Sequence, residues 1–331
     1  MLFGVAAVVV LLIIAVVAWY LIEAYPLGGP GKRVVVEVTQ GEGTSQVANS
    51  LEQHGVVGSA LALRLSFLVH GSPTIDPGGY VFHTNQSFST VRSILSHGPD
   101  LYEVNVLPGY TVAEVTQAVG AVPGRTGNDF AAVVRSGTVR SSYGTPSSIS
   151  LEGLLGTGTY QVTVGQSDTV LLTQMVNRFE KQAAAAGVNA ASAQALGMTP
   201  YQVVIVASIA QKEGYFDRYL GKVSRVVYNR LAAGMHLDMT STVLYAIGQD
   251  GGTVTKADHT LDTPYNTYLN AGLPPTPICI PSPAALQAAI SPPAGAWLYF
   301  TVVNKSGTTR FAVTYTEQLA NEQIAQKNGV G

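Results

Sequence analysis

The chain has 331 residues, only 11% of them charged, and a formal net charge of −2, so no basic surface argues for nucleic acid. The length suits two or three domains with sizeable cores, and the single cysteine, Cys279, excludes an intrachain disulfide. His54, His70, His83, His97, His236 and His259 are scattered without a helical i,i+4 pair. His259, beside Asp258 and Asp262, reads as part of a solvated loop, so no metal and no cofactor are expected.

Leu2–Ile22 is an unbroken run of 21 uncharged residues. As a helix it would be ~31 Å long, the thickness of a bilayer's hydrocarbon core. Trp19 and Tyr20 stand near its C-terminal end, where amphipathic rings favour the interface. A signal peptide would want a charged n-region, a shorter apolar stretch and a small-x-small cleavage site, and none is evident around 18–26. A retained single-pass membrane anchor is therefore expected. No Lys or Arg precedes the run while Lys32 and Arg33 follow it, so charge alone does not place the remainder outside the cell. A basic stretch ahead of Met1 would reconcile charge with an external location.

Tyr25–Lys32 (YPLGGPGK) reads as a flexible linker. Val34–Val38 alternates as a short strand, Gly41–Thr44 turns, and Ser45–His54 has helical periodicity ending at Gly55. A helix over Ser59–Val69, a PGGYVF strand at 77–82 and a helix over Ser87–His97 follow. Tyr102–Leu107 is again strand-like, with a turn at Gly109 and a helix that Thr111 can cap, running through Val119. Pro146–Ser148 lies in a Gly- and Ser-rich loop. Tyr160–Val164, Gly165 and a helix over Thr169–Lys181 repeat the order of strand, glycine turn and helix.

The run VVIVASIAQKE (203–213) carries the chemistry. Thr199 can cap this helix, Pro200 suits its first turn, and Gln202 completes a capping box. Ser208 is the only polar residue from Val203 to Ala210, which predicts a helix buried on nearly every side. Glu213 shares a face with Val206, Ile209 and Ala210, and Gly214 then ends the helix. A carboxyl held against apolar surface has its charged form disfavoured, which is what a general acid needs near neutral pH. The local pattern equally allows a helix-end Glu paired in water with Lys212 or Arg218.

The stretches ASIAQKEG (207–214), VVYNRLAAGMHLDMTSTVLYAIG (226–248), TPYNTYLNAGLPPTPICIPSPAALQAAISP (263–292) and WLYFTV (297–302) resemble the catalytic domain of endolytic murein transglycosylases of the MltG (YceG-like) family. SLEGLLGTGTY (150–160) resembles a further segment of it, and the βααβ-like order before residue 100 resembles its LysM-like region. The resemblance implies an α+β fold: a transmembrane anchor (1–23), a linker (24–33), a LysM-like subdomain (34–100), a connecting α/β region (101–190) and a mixed α/β catalytic region (191–331). The family's catalytic glutamate is the last acidic residue of its helix motif. Gln211 occupies the earlier acidic position here, which leaves Glu213.

Tyr265-Asn266-Thr267-Tyr268 has the composition of a sugar-binding loop, with rings to stack on pyranose faces and amide and hydroxyl groups to bond to them. A turn broken by Pro264 and Asn266 accounts for the same residues without a ligand. Ser208, Asn229, Thr242 and Tyr160 complete the candidate substrate contacts, though Asn229 and Arg230 on a helix suit packing as well. The chain departs from the family pattern at Gly156-Thr157-Gly158, at Leu237-Asp238-Met239-Thr240 and at Arg310.

The reaction implied is cleavage of the β-1,4 bond between N-acetylmuramic acid and N-acetylglucosamine, giving 1,6-anhydro ends. One carboxylate can suffice, because the substrate's 2-acetamido group assists at the anomeric carbon and its C6 hydroxyl then closes the ring. Asp217 and Glu152 are the nearest further carboxylates, each expected to be a surface or structural residue. A lysozyme-type hydrolase would need a second carboxylate near Glu213, for which Asp238 is the candidate, and a non-catalytic glycan-binding scaffold is the third reading. The resemblance also implies termination of nascent strands, an extracytoplasmic catalytic domain at the bacterial cell membrane, and peptidoglycan and its synthases as partners.

Overall fold

The computed structural model describes residues 2–330 apart from Thr253 and Lys256. Met1 and Gly331, which end the first and last expected domains, lie outside the described residues. The chain divides into two compact units: residues 1–104, 121–126 and 160–167 form one, and residues 105–120, 127–159 and 168–331 form the other.

The first unit begins with helix α1 (Leu2–Ala24), which contains a strongly apolar 20-residue span, Val5–Ala24. Strand β1 (Arg33–Val38), helices α2 (Thr44–Gln53) and α3 (Ala60–His70), strand β2 (Gly78–His83) and helix α4 (Phe88–His97) follow within a residue or two of expectation. β1 and β2 pair antiparallel, Val36 opposite Tyr80 and Val34 opposite Phe82. Side chains alternate across a strand, so Val36 and Val38 point inward while Glu37 stays in water. Tyr80, Phe82, Leu51, Leu63, Phe67 and Leu95 close a core that also takes in Ala24, the last residue of α1. Ser59 and Ser87 cap α3 and α4, each accepting a backbone N–H. Gly79 permits the Val164 carbonyl to lie directly on its Cα, where any Cβ would collide.

The boundary between the units falls within strands β3 (Leu101–Val106) and β4 (Gly158–Thr163), which pair with each other. The second unit holds α5 (Val112–Gly120), α6 (Gly127–Ser136), α7 (Asp168–Ala185), α8 (Ala190–Gln194), α9 (Pro200–Glu213), α10 (Asp217–Ala232), α11 (Thr240–Ala246) and α12 (Pro283–Ile290). The hairpin β5 (Tyr299–Val302) and β6 (Thr309–Ala312) and the helix α13 (Tyr315–Lys327) complete it.

α9 is the axis of this unit. It packs against α8, α10, α11 and α12, and Tyr201 and Val203–Ala210 are all buried. Its capping box is formed, with Gln202 N donating to Thr199 Oγ1 at 3.2 Å and Thr199 N to Gln202 Oε1 at 2.8 Å. Gly214 ends the helix by close approach rather than by a left-handed turn. Its φ is −80°, and a Cβ there would lie 2.7 Å from Leu220 Cδ2 and 2.8 Å from the Ala210 carbonyl. Gly156 stands in one of the departing segments for a similar reason, since a Cβ would meet the Arg178 side chain at 2.7 Å.

Candidate active site

Glu213 emerges at the end of α9 into a cavity of about 550 Å³ that lies wholly within the second unit. The last turn of an otherwise apolar helix places its carboxyl against protein, and burial pushes the pKa above the usual carboxylate range. The Ser241 N–H, near the start of α11 where backbone donors lack helical acceptors, donates to Glu213 Oε1 at 3.0 Å and pulls it part of the way back. Neither cation weighed as a partner takes it. Lys212 pairs with Asp250, and the Arg218 guanidinium lies 4.3 Å over Phe216 and 4.7 Å over Tyr219.

Glu152 lines the same cavity. The surface location weighed for it is wrong: it is 8% exposed. Its carboxylate accepts from the Val112 N–H at 3.1 Å and from the Tyr245 hydroxyl at 3.1 Å. Burial outweighs those donors and raises its pKa to about 7. Tyr245, in the cavity wall, has its hydroxyl pKa raised by burial and by the Glu152 charge. Asp217 is exposed in the first turn of α10. Asp238 does not line the cavity: it takes a left-handed φ of 52° and pairs with Arg230 Nη1 at 2.7 Å. The departing residue Arg310 is exposed, opposite Thr301 in the β5–β6 hairpin.

The Tyr265–Tyr268 residues, expected to touch a sugar, make hydrogen bonds that hold the wall behind Glu213. Thr267 Oγ1 accepts from Met239 N and shares a bond with Thr242 Oγ1, both at 3.0 Å, while its carbonyl accepts from Asp238 N at 3.2 Å. Thr242 in turn donates to the Met239 carbonyl at 2.7 Å. These buried bonds shape the turn that aims the Ser241 N–H. Tyr268 reaches Thr240 at 2.9 Å, and Asn266 is buried, donating to the His259 and Leu261 carbonyls. Tyr265 bonds to Thr276 at 2.9 Å with its ring 5.0 Å from Tyr245.

The others lie further off. Ser208 is fully buried, donating to the Ile205 carbonyl and accepting from Ile278 N. Asn229 clamps the Gly295 and Trp297 carbonyls, and Tyr160 is buried in β4. None of these eight lines the cavity. Ser241 and Tyr245, which do, were not singled out by sequence, and Lys212 was weighed only as an ion-pair partner of Glu213. The STVLY stretch held the signal for two of them, since Ser241 and Tyr245 stand four apart on one helix face.

Thr267→Val keeps the shape of the side chain but leaves the Met239 N–H buried without an acceptor. It is expected to cost about 1–3 kcal/mol. A denaturation midpoint equal to that of the unmodified chain would show that the turn does not depend on this hydroxyl.

The sequence model of the YceG-like family matches residues 36–324. The chain belongs to the YceG-like family. An endolytic murein transglycosylase of Streptococcus pneumoniae R6 is 25% identical over 312 residues, covering 85% of this chain and 56% of that protein. The chain thus spans little more than half the length of this relative. An endolytic murein transglycosylase of Bacillus subtilis 168 is 25% identical over 319 residues, covering 89% of this chain and 86% of the other. The crystal structure of a yceG-like protein from Listeria monocytogenes superposes with a TM-score of 0.57 at 25% identity, covering 88% of this chain and 99% of that one.

Proposed function

We propose that this YceG-like chain is a membrane-anchored endolytic lytic transglycosylase. It cleaves the β-1,4 bond between N-acetylmuramic acid and N-acetylglucosamine within peptidoglycan strands. The observation that carries this is a carboxyl of raised pKa, held by one backbone N–H at the mouth of a buried helix, facing a cavity of about 550 Å³. Burial favours the protonated form of such a group, and that form can pass its proton to the glycosidic oxygen. The 2-acetamido carbonyl assists as the leaving group departs. Glu213, now ionised, takes the proton of the C6 hydroxyl, whose oxygen closes the 1,6-anhydro ring. Proton, leaving group and charge balance without an activated water.

α1 is the membrane anchor in this reading, by length and composition. The β1–α2–α3–β2 segment is the LysM-like region, and the catalytic unit stands outside the cytoplasm, where it ends nascent strands beside the synthases. A second reading, a muramidase, is favoured by one observation: Glu152, which lines the cavity along with Glu114 and Asp250, could activate water. Mass spectrometry of digested peptidoglycan separates the two. Anhydromuramic ends from internal cuts are expected. Reducing muramic ends alone would establish the hydrolase, and an intact polymer would leave a glycan-binding scaffold.

A further inference from the structure

Helix α3 is apolar on two sides. Its inner face, with Ala62, Leu63 and Phe67, is buried in the core of the first unit. Leu61, Leu65, Leu68 and Val69 are 57%, 39%, 79% and 76% exposed. Their spacing of four, three and one puts them on one stripe along the helix, an arrangement that water does not reward.

The course of α1 says what covers that stripe. α1 is continuous from Leu2 to Ala24, and its last turns are built into the same unit as α3. Ala24 is 6% exposed within the core, and the Tyr20 ring meets Phe88 edge-on at 6.1 Å. The Glu23 carboxyl lies on the backbone of Gly58, just before the α3 cap. Tyr20, Leu21 and Ala24 share one cavity wall with Ser66 and His70 of α3. The two helices pack directly against each other. The apolar run Leu2–Trp19 makes a helix of ~27 Å that can cross the hydrocarbon core, which leaves Tyr20–Ala24, packed in the first unit, at its boundary. The depth at which α1 leaves the bilayer therefore sets the depth of α3, at the level of Tyr20–Tyr25. Arg64 borders the stripe, and Arg92 lines the cavity beside Tyr20, so the stripe is accompanied by cations of the kind that anionic headgroups attract.

We propose that α3 lies along the surface of the bilayer that α1 crosses, with Leu61, Leu65, Leu68 and Val69 set among the lipid headgroups and first methylenes. This rests on α1 being a membrane span. The partner is the lipid surface itself, and two helices rather than one fix the first unit to it.

The full chain is reconstituted into phosphatidylcholine–phosphatidylglycerol vesicles and labelled with a fluorophore at Leu68→Cys, the native Cys279 being buried. Val9→Cys reports on α1, and Glu52→Cys, exposed on α2 of the same unit, is the aqueous control. Lipids brominated near the headgroup are expected to quench position 68 but not position 52. Lipids brominated deep in the chain are expected to quench position 9. Quenching at 9 without quenching at 68 overturns the placement of α3 while leaving the anchor intact. No quenching at 9 removes the anchor and the proposal with it. A spectrum at 68 that responds to protein-to-lipid ratio but not to bromination assigns the stripe to a second copy of the chain, and also overturns the proposal.

Discussion

Glu213→Gln is expected to lower glycan cleavage by ~10²–10⁴-fold, the usual contribution of general acid catalysis. That loss corresponds to about 3–5 kcal/mol of transition-state stabilisation. The amide keeps the shape of the side chain, and its oxygen can still accept the Ser241 N–H, but it has no proton to give the glycosidic oxygen. Folding should not suffer, because burial already disfavours the ionised carboxyl that the change removes. Glu213→Asp is expected to fail as well, since one methylene less withdraws the acid from the bond. Asp217→Asn, on the exposed first turn of α10, should retain activity close to that of the unmodified chain. Full cleavage by Glu213→Gln with an unchanged melting temperature would remove α9 from the chemistry.

α9 was legible in the sequence because every signal sits within fifteen residues. Thr199 and Gln202 meet across one turn, and the apolar run needs no distant partner to be recognised. β1, β2 and the helices between them were legible for the same reason. α6 was missed, and Phe130 is its one buried residue, so it offers little apolar periodicity to read. α13 carries the capping box Thr314–Glu317, a local signal that went unused. The bonds that the Tyr265–Tyr268 loop makes were not legible for a different reason. Its residue types suit a sugar, but Thr267 spends its hydroxyl on Met239 and Thr242, which lie 28 and 25 positions earlier. Composition shows which bonds a side chain can make and not which partner reaches it first. The same limit hid the burial of Glu152, whose partners Val112 and Tyr245 are 40 and 93 positions away.

That hidden carboxyl should be visible in the pH dependence of stability. Glu152 has an ordinary carboxyl pKa of 4.5 when unfolded and about 7 in the folded chain. Below both values the group is protonated in either state and favours neither. As pH rises through the unfolded value, the unfolded chain releases its proton while the folded chain keeps it, so folding loses ground. The loss is complete once pH exceeds the folded value, and a shift of this size corresponds to about 3 kcal/mol. Glu213, raised by burial too, adds to the loss in the same direction. The groups facing Glu152 from neighbouring elements are Glu114, Tyr201, Tyr245 and Cys279, and among them is no cation that would stabilise the ionised form. Glu152→Gln removes the titration while its amide oxygen can accept the Val112 N–H and its amide nitrogen can donate to a turned Tyr245 hydroxyl. In micelles, the melting temperature of the unmodified chain should fall between pH ~4.5 and ~7, and that of Glu152→Gln should fall much less. The variant should match the unmodified chain at the acid end and exceed it at the alkaline end. Parallel melting curves for the two across that window would mean that Glu152 is ionised in the folded chain and that its place in the cavity wall is more open to water than its neighbours allow.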